Sequence, residues 1–382
     1  MEPDMHKASP AQRNRGLDAL RGSLTLLVLL HHTALTYGAP GAWFYREIAP
    51  DGSPSSLLLT LFVAVNQAFF MGLFFLLAGY FTPASLRAKG VARFSRDRLR
   101  RLGLPLLAFG LVLGPVTVAL AQTGRGRPFL DTLLALWRQL RFVEGPLWFA
   151  EALLIFSAAA LLWHLTVRHK GGVAQTEDRT FPSNRALAAA AIGTGLAAFG
   201  LRLWWPVGTE IWGLQLGYFA GYTVLFVTGC LAADQNWLER IPPVRVRLWS
   251  RVALICIPVL PLGILLGAQW PALGGPTEGG VNAQALLYAL WEPLVAWGII
   301  LWLLAFYQRR FPRLDGLWRP LAARAYTIYI IHPPVLVVVA LAGRDIAAPA
   351  LLKFGVTGLA TCAISFSLAG LILRIPAARR IL

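Results

Sequence analysis

The chain has 382 residues, of which 57% are hydrophobic and only 14% are charged, whereas a soluble domain has about a quarter of its residues charged. This composition excludes an ordinary soluble enzyme and predicts an all-α, polytopic integral membrane protein. The formal net charge of +17 does not imply nucleic acid as a partner, because the cytoplasmic loops of multi-spanning proteins hold an excess of Lys and Arg.

The first residues of the chain and its cysteines predict neither a cleaved leader nor a metal site. Residues 1–16 are polar and lack the pattern of a signal peptide, so we expect a cytoplasmic N-terminal segment. Cys230, Cys256 and Cys362 lie in apolar segments without a Cys-x-x-Cys or His/Cys spacing. We therefore expect no metal and no disulfide framework.

Ten apolar runs follow, each near the length that a helix needs to cross the hydrocarbon core of a bilayer. They predict a single domain of about ten transmembrane helices over residues 17–373, followed by a short cytoplasmic tail, 374–382. With both termini placed in the cytoplasm, most of the 35 Lys and Arg residues fall in cytoplasmic loops. The runs are 17–37, 57–80, 102–121, 147–165, 186–203, 214–233, 250–267, 284–307, 322–341 and 348–373.

The first run carries charged and ionisable residues in helical phase. Arg21 and His32 are eleven residues apart, which is about three helical turns and roughly 16 Å, so their side chains share a face. Asp18 lies near that face. If the run spans the membrane, Arg21 is at one interface and His32 is near the middle of the bilayer. A histidine in that position is costly, which suggests a function.

Two interpretations of His32 stay open at this point. It could be a general base, a neutral imidazole that takes a proton from a hydroxyl group, or it could be a structural histidine that hydrogen-bonds between helices. The charged pair on the same face favours the base. His31 is its neighbour, and the helical phase with Arg21 favours His32 over His31.

A basic segment lies at the predicted cytoplasmic mouth of the third span. It contains Arg96, Arg98, Arg100 and Arg101. Arginine suits bidentate contact with phosphate, so the segment could capture a phosphate-rich cytoplasmic cofactor. It could equally be ordinary positive-inside anchoring, or a contact with anionic membrane lipids. The composition alone does not decide between these.

Further polar residues lie inside the predicted spans. For each one alone, pairing between helices is as good an explanation as chemistry, but as a set they predict a polar cavity inside the bundle. No Walker, GxSxG, HExxH or Rossmann glycine pattern accompanies them. The set comprises Asn66, Gln67, Glu151, Arg202, Glu292 and His332.

With these segments the chain resembles the membrane-bound acyltransferase-3 family, whose members O-acylate carbohydrates at bacterial cell surfaces. The likeness rests on LDALRG at 17–22 with its arginine-ten-residues-histidine spacing, and on motifs in the right order along most of the chain. These are FFMGLFFLLAGYF at 69–81, FSRDRLRRLGLP at 94–105, GPLWFAEALL at 145–154 and YTIYIIHPP at 326–334.

The resemblance implies an acyltransferase of the bacterial inner membrane. Acyl-CoA would be the co-substrate, with no tightly bound cofactor, and its phosphates would meet Arg96, Arg98 and Arg101 from the cytoplasm. The partners would be acyl-CoA, membrane lipids and an extracytoplasmic carbohydrate such as a periplasmic glucan. The acyl group could be succinyl or acetyl, and it could pass directly or through a covalent intermediate.

The same resemblance implies roles within the membrane. His32 would assist the deprotonation of the acceptor hydroxyl, with Arg21 and Asp18 as the other catalytic residues. The substrate cavity would include the remaining polar groups, His31, Glu151, Glu292 and His332. Many family members have one histidine where this chain has His31 and His32, so the choice of base stays open between the two.

Two other functions compete with the enzyme. A proton-coupled transporter could use His32, Glu292 and His332 as a relay, but it predicts internal inverted repeats, and none is visible. A structural or lipid-scaffolding protein would leave the buried polar residues without a purpose. We rank the acyltransferase first, the transporter second and the scaffold third.

Overall fold

The computed structural model describes residues 15–168 and 180–382, and within these ranges the chain forms helices and connecting loops without a β-strand. The predicted all-α class is confirmed. Most of the predicted cytoplasmic N-terminal segment and residues 169–179 lie outside the described residues. The helices are α1 Arg15–Thr36, α2 Pro54–Arg98, α3 Leu104–Ala108, α4 Gly114–Thr123, α5 Phe129–Arg138, α6 Trp148–Trp163, α7 Asn184–Arg202, α8 Phe219–Gln235, α9 Pro243–Cys256, α10 Val259–Gln269, α11 Ala283–Arg310, α12 Trp318–Ala342, α13 Ala350–Ile372 and α14 Pro376–Arg379.

Seven helical segments of the described chain are long and apolar enough to cross a membrane, which makes this a multi-pass membrane protein. All ten predicted runs lie largely on helix, and the longest segment takes in two of them. The count of ten spans and the cytoplasmic position of both termini stay predictions. The seven segments are Pro54–Thr123, Gly145–Thr166, Leu216–Gln235, Pro243–Gln269, Ala283–Arg310, Trp318–Ala342 and Ala350–Ile372.

The longest segment starts with a clear cap and is broken once. The Ser53 side chain accepts a hydrogen bond from the Ser56 N–H, and Pro54 occupies the first turn, where its missing N–H costs nothing. At Gly90 the backbone turns to φ +68°, a left-handed conformation that favours glycine. The chain bends there, and Asp97 Oδ2 comes within 2.7 Å of Lys89 Nζ.

Gly79, in the FFMGLFFLLAGYF segment, and Gly229 set the distance between α2 and α8. A Cβ atom at Gly79 would collide with the carbonyl of Phe226, and one at Gly229 would collide with the carbonyl of Leu76. The two helices can approach this closely only because both positions lack a side chain, as is common where membrane helices pack.

Helix α1 is the centre of the bundle, because α2, α11, α12 and α13 all pack against it. Most of its residues are buried, including the polar Asp18 and His31. Polar contacts fix it to its neighbours. Tyr307 Oη of α11 donates to Ser23 Oγ at 2.6 Å. The helix on which Arg21 and His32 were predicted to act is thus packed and hydrogen-bonded among the other helices.

Candidate active site

A hydrogen-bonded pair of histidines joins α1 to α12. His32 Nδ1 lies 2.9 Å from His332 Nε2, and the two ring planes are 6° apart. His332 Nδ1 lies 2.6 Å from the carbonyl oxygen of Tyr329, one turn earlier in its own helix. His332 is fully buried, whereas His32 keeps partial exposure. The structure therefore places two of the predicted site residues in direct contact.

The tryptophan at position 43 covers one face of His32. The ring centroids are 4.0 Å apart and the planes differ by 9°. Trp43 belongs to the segment between α1 and α2, where the sequence carries no periodic pattern, so sequence reasoning missed it. Its stacking fixes the plane of the His32 ring and covers one face of it.

His31 has different surroundings from its neighbour. Its ring stacks on Phe70 with centroids 4.8 Å apart and meets His32 edge-on at 5.6 Å. Its Nδ1 is buried and has no hydrogen-bond partner within the described chain. Of the two adjacent histidines, His32 is the one bonded to His332.

A cavity of about 320 Å³ lies near the end of the bundle where α1 begins. Its walls come from α1, α2, α6 and α12 and from the last residues of the chain. Aromatic and aliphatic side chains line most of it, and four cationic groups and one carboxylate complete it. The ionisable lining residues are Arg21, Lys89, Asp97, Arg98 and Arg101, and the main apolar ones are Met71, Phe74, Phe81, Phe94, Leu102, Phe149 and Leu153.

The charges of this cavity are partly paired and leave a positive excess. The Lys89 ammonium is matched by Asp97, and Arg21 lies 3.7 Å from Asp18. Arg98 Nη2 donates to Thr82 Oγ1 at 3.1 Å, a neutral partner, and no carboxylate of the described residues forms an ion pair with this guanidinium. The cavity as a whole is suited to an anionic ligand with an apolar portion.

The predicted arginine cluster is divided by the structure. Arg98 and Arg101 line the cavity, whereas Arg96 is exposed and is absent from the lining in the described part of the chain. Sequence reasoning did not single out Lys89. It precedes the break at Gly90, and only that break folds the basic segment back beside it.

Tyr329 connects the cavity to the histidine pair. Its side chain lines the cavity, its carbonyl oxygen contacts His332, and its hydroxyl group donates to the carbonyl of Pro146 in the GPLW segment. His32 itself does not line the cavity. Tyr329 therefore belongs both to the wall of the cavity and to the hydrogen bonds of the histidine pair.

The two predicted carboxylates lie apart from this pair. Glu151 is half-buried on the first turn of α6, where Phe149, Ala150 and Leu153, but not Glu151, line the cavity. Glu292 is buried and its hydrogen bond goes to Arg202.

The Arg202–Glu292 ion pair has a small cavity of its own. This cavity measures about 40 Å³, lies between α2, α7, α8 and α11, and includes both residues in its lining. Of the three residues of the alternative proton relay, His32 and His332 therefore contact each other, whereas Glu292 lies at a separate site with Arg202. Within the described residues, no group of three His, Cys, Asp or Glu side chains is arranged to hold a metal.

Comparison with known proteins supplies the family. The family model described as an acyltransferase domain, that of acyltransferase family 3, matches residues 14–370. The chain belongs to the acyltransferase-3 family. The resemblance drawn from the motifs is therefore confirmed. This family member is an all-helical, multi-pass membrane acyltransferase. The histidine pair lies inside the matched region, as does the basic cavity apart from the chain's last two residues, Ile381 and Leu382.

Two of its relatives carry the same name. Glucans biosynthesis protein C of Escherichia coli strain SMS-3-5 and that of E. coli O157:H7 strain EC4115 are each 34% identical over 98 residues. The aligned part is 26% of this chain and 24% of the relative, so it spans about a quarter of the length of these curated relatives. No solved structure gives a significant match.

Proposed function

We propose that the protein transfers a short acyl group, succinyl or acetyl, from cytoplasmic acyl-CoA to a hydroxyl group of an extracytoplasmic carbohydrate such as a periplasmic glucan. One observation carries the proposal. A basic cavity and a hydrogen-bonded histidine lie roughly three turns apart along α1, and Tyr329 stands between them. This arrangement suits a donor and an acceptor that arrive from opposite ends of the bundle.

The basic cavity is the proposed donor site. Arg98 and Arg101 offer planar, permanently charged groups for the phosphates of CoA, and Arg21 adds a third. The apolar walls suit the thioester arm, which would point inward past Phe149. His32 lies beyond Tyr329, so binding of the donor must widen the passage beside that side chain before the acyl carbon reaches the histidine.

The histidine pair is the proposed chemical centre. His32 accepts the proton of the acceptor hydroxyl while the hydroxyl oxygen attacks the thioester carbonyl. A new C–O ester bond forms, the C–S bond breaks, and the proton passes from His32 to the departing CoA thiolate. General-base assistance of this kind contributes about a hundredfold or more to a rate. The acceptor is expected on the side of Trp43, whose ring could pack against a sugar.

The relatives give the proposal its acceptor class. Their name connects them with the biosynthesis of glucans. A glucan is a neutral chain of hydroxyl groups, which agrees with a reaction centre formed by neutral rings rather than by paired carboxylates. Succinylation would add a carboxylate to such a polymer, and acetylation would not.

The test is release of free CoA by protein purified into nanodiscs. Succinyl-CoA and acetyl-CoA would be supplied with an oligosaccharide glucan, and His32→Ala would be compared with His31→Ala as the matched control. We expect acceptor-dependent release that His32→Ala abolishes and His31→Ala largely keeps. The absence of release with every donor, together with proton-coupled flux of a solute, would overturn the acyltransferase proposal in favour of the transporter.

A further inference from the structure

The hydrogen bond between His332 and Tyr329 fixes the position of one proton. A carbonyl oxygen can only accept, so His332 Nδ1, at 2.6 Å from the Tyr329 oxygen, must carry the hydrogen. The ring is completely buried, and a buried charge without a counterion is costly, so we treat it as neutral. A neutral imidazole with Nδ1 protonated has a lone pair on Nε2.

The sequence explains why this carbonyl is available inside a helix. The oxygen of Tyr329 would ordinarily accept from the N–H group four residues later, but that residue is Pro333, which has none. His332, three residues after Tyr329, supplies the missing hydrogen from its side chain. The local sequence Tyr-x-x-His-Pro therefore orients the histidine, because the proline leaves the tyrosine carbonyl free to bond it.

The proton on His332 determines the proton on His32. Because His332 Nε2 is an acceptor, His32 Nδ1, at 2.9 Å, must be the donor. A neutral His32 then has its lone pair on Nε2, the nitrogen on the far side of the ring. A general base needs such an unprotonated nitrogen that can reach the hydroxyl group.

We propose that His332 is a positioning residue that holds His32 in its Nδ1–H tautomer, so that Nε2 of His32 is the base. The inference rests on the proposed function, in which His32 takes the proton of the acceptor. As Nε2 gains that proton, the His32 ring becomes positive, and its Nδ1–H bond to His332 becomes charge-assisted and stronger. The series of hydrogen bonds from His32 through His332 then ends at the carbonyl oxygen of Tyr329, which is the negative end of that dipole.

The surrounding rings support the same assignment. Trp43 lies nearly parallel to His32, at 9°, and to His332, at 11°, so tilting either imidazole out of its plane would break the stack. His31 does not belong to these hydrogen bonds, because its Nδ1 is buried and has no partner among the described residues. The network thus also selects His32 over His31 as the base.

The tautomer can be measured without an activity assay. Protein labelled with ¹⁵N-histidine would be placed in nanodiscs, and the His32 signal would be identified by its loss in His32→Gln. We expect a protonated Nδ1 and an unprotonated Nε2 in the wild type. His332→Leu should populate the opposite tautomer, whereas His332→Gln, which keeps an acceptor near the Nε2 position, should preserve much of the native one.

Two neighbouring prolines offer a matched pair that leaves both histidines in place. Pro333→Ala restores an N–H group four residues after Tyr329, which competes with His332 for the carbonyl oxygen. Pro334→Ala restores an N–H group four residues after Ile330. The carbonyl of Ile330 takes no part in the hydrogen bonds that join Tyr329, His332 and His32. We expect Pro333→Ala to disturb the His32 tautomer and to lower turnover roughly tenfold to a hundredfold, by analogy with groups that orient metal-bound histidines. Pro334→Ala should do neither.

The outcomes separate this inference from the proposed function. A wild-type His32 signal with Nε2 protonated, or equal effects of the two proline variants, overturns the positioning role even if acyl transfer is observed. If the expected tautomer is found but the protein releases no CoA from any donor, His332 does hold the His32 tautomer, and the proposed acyl transfer is overturned.

Discussion

Arg21 and His32, eleven residues apart on α1, belong to two different sites that both include residues of α12. Arg21 lines the basic cavity beside Tyr326 and Tyr329, whereas His32 is hydrogen-bonded to His332. One helix thus carries a charged group in the wall of the cavity and, three turns later, an imidazole outside it. The separation of roughly 16 Å means that a donor must be elongated to touch both.

Removal of the guanidinium at position 98 should weaken the binding of acyl-CoA. We expect Arg98→Ala to raise the KM for the donor about tenfold or more, because a hydrogen bond to a charged group contributes about 1.5–3 kcal/mol. Arg96→Ala is the control, since Arg96 is exposed and does not line the described cavity. Steady-state kinetics over a range of donor concentrations provides the measurement. Equal effects of the two substitutions would contradict the placement of CoA in this cavity.

Loss of the stacked tryptophan should impair chemistry more than folding. Trp43→Ala removes a ring that lies 4.0 Å from His32, and a stacked pair contributes about 0.5–1.5 kcal/mol beyond burial. We expect kcat to fall about two- to tenfold, and Trp43→Phe to restore most of it. Turnover at saturating donor and acceptor would be compared for the three proteins. A Trp43→Ala enzyme with unchanged kcat would show that the stack does not hold the base.

The buried ion pair between α7 and α11 should matter for stability. Removing one partner leaves the other charge buried and unpaired, so Arg202→Met or Glu292→Met alone should destabilise by about 3–5 kcal/mol. The double variant Arg202→Met/Glu292→Met should recover much of that loss. Thermal unfolding in nanodiscs tests this, with Arg344→Ala, from an exposed pair, as the control. Additive losses in the double variant would contradict direct pairing.

The close approach of α2 and α8 gives a matched test on one helix. A methyl group at Gly229 would strike the carbonyl of Leu76, whereas one at Gly221 meets open space. We expect Gly229→Ala to destabilise by about 1–3 kcal/mol and Gly221→Ala to be neutral or slightly stabilising. Thermal unfolding of the two variants side by side gives the comparison. The same stability for both would mean that α2 and α8 are further apart than described here.

The sequence was sufficient to predict features that depend on helical period and composition. The all-helical class and the family were predicted and are confirmed, and Arg21 and His32 lie on one helix as their spacing required. The availability of the Tyr329 carbonyl could also have been deduced, since Pro333 lacks an N–H group. That step needed attention to backbone hydrogen bonds rather than to side chains.

Other features depend on contacts between distant segments and could not be deduced. Trp43 reaches His32 from a segment with no periodic pattern. Arg202 and Glu292 both belong to the predicted set of intramembrane polar residues, but they are 90 residues apart in the chain and no pattern indicated that they pair. The break at Gly90, which folds Lys89 and Asp97 into the cavity wall, gave no signal because a lone glycine is common in helical sequences.

The central claim, transfer of an acyl group from one side of the membrane to the other, is tested most directly in sealed proteoliposomes. ¹³C-labelled acyl-CoA would be added outside, with an impermeable glucan either enclosed or added outside, and the glucan would be examined by mass spectrometry. The account predicts label on the enclosed glucan alone, and none with His32→Ala. Label on a glucan that shares the side of the donor, or label that survives His32→Ala, would contradict it.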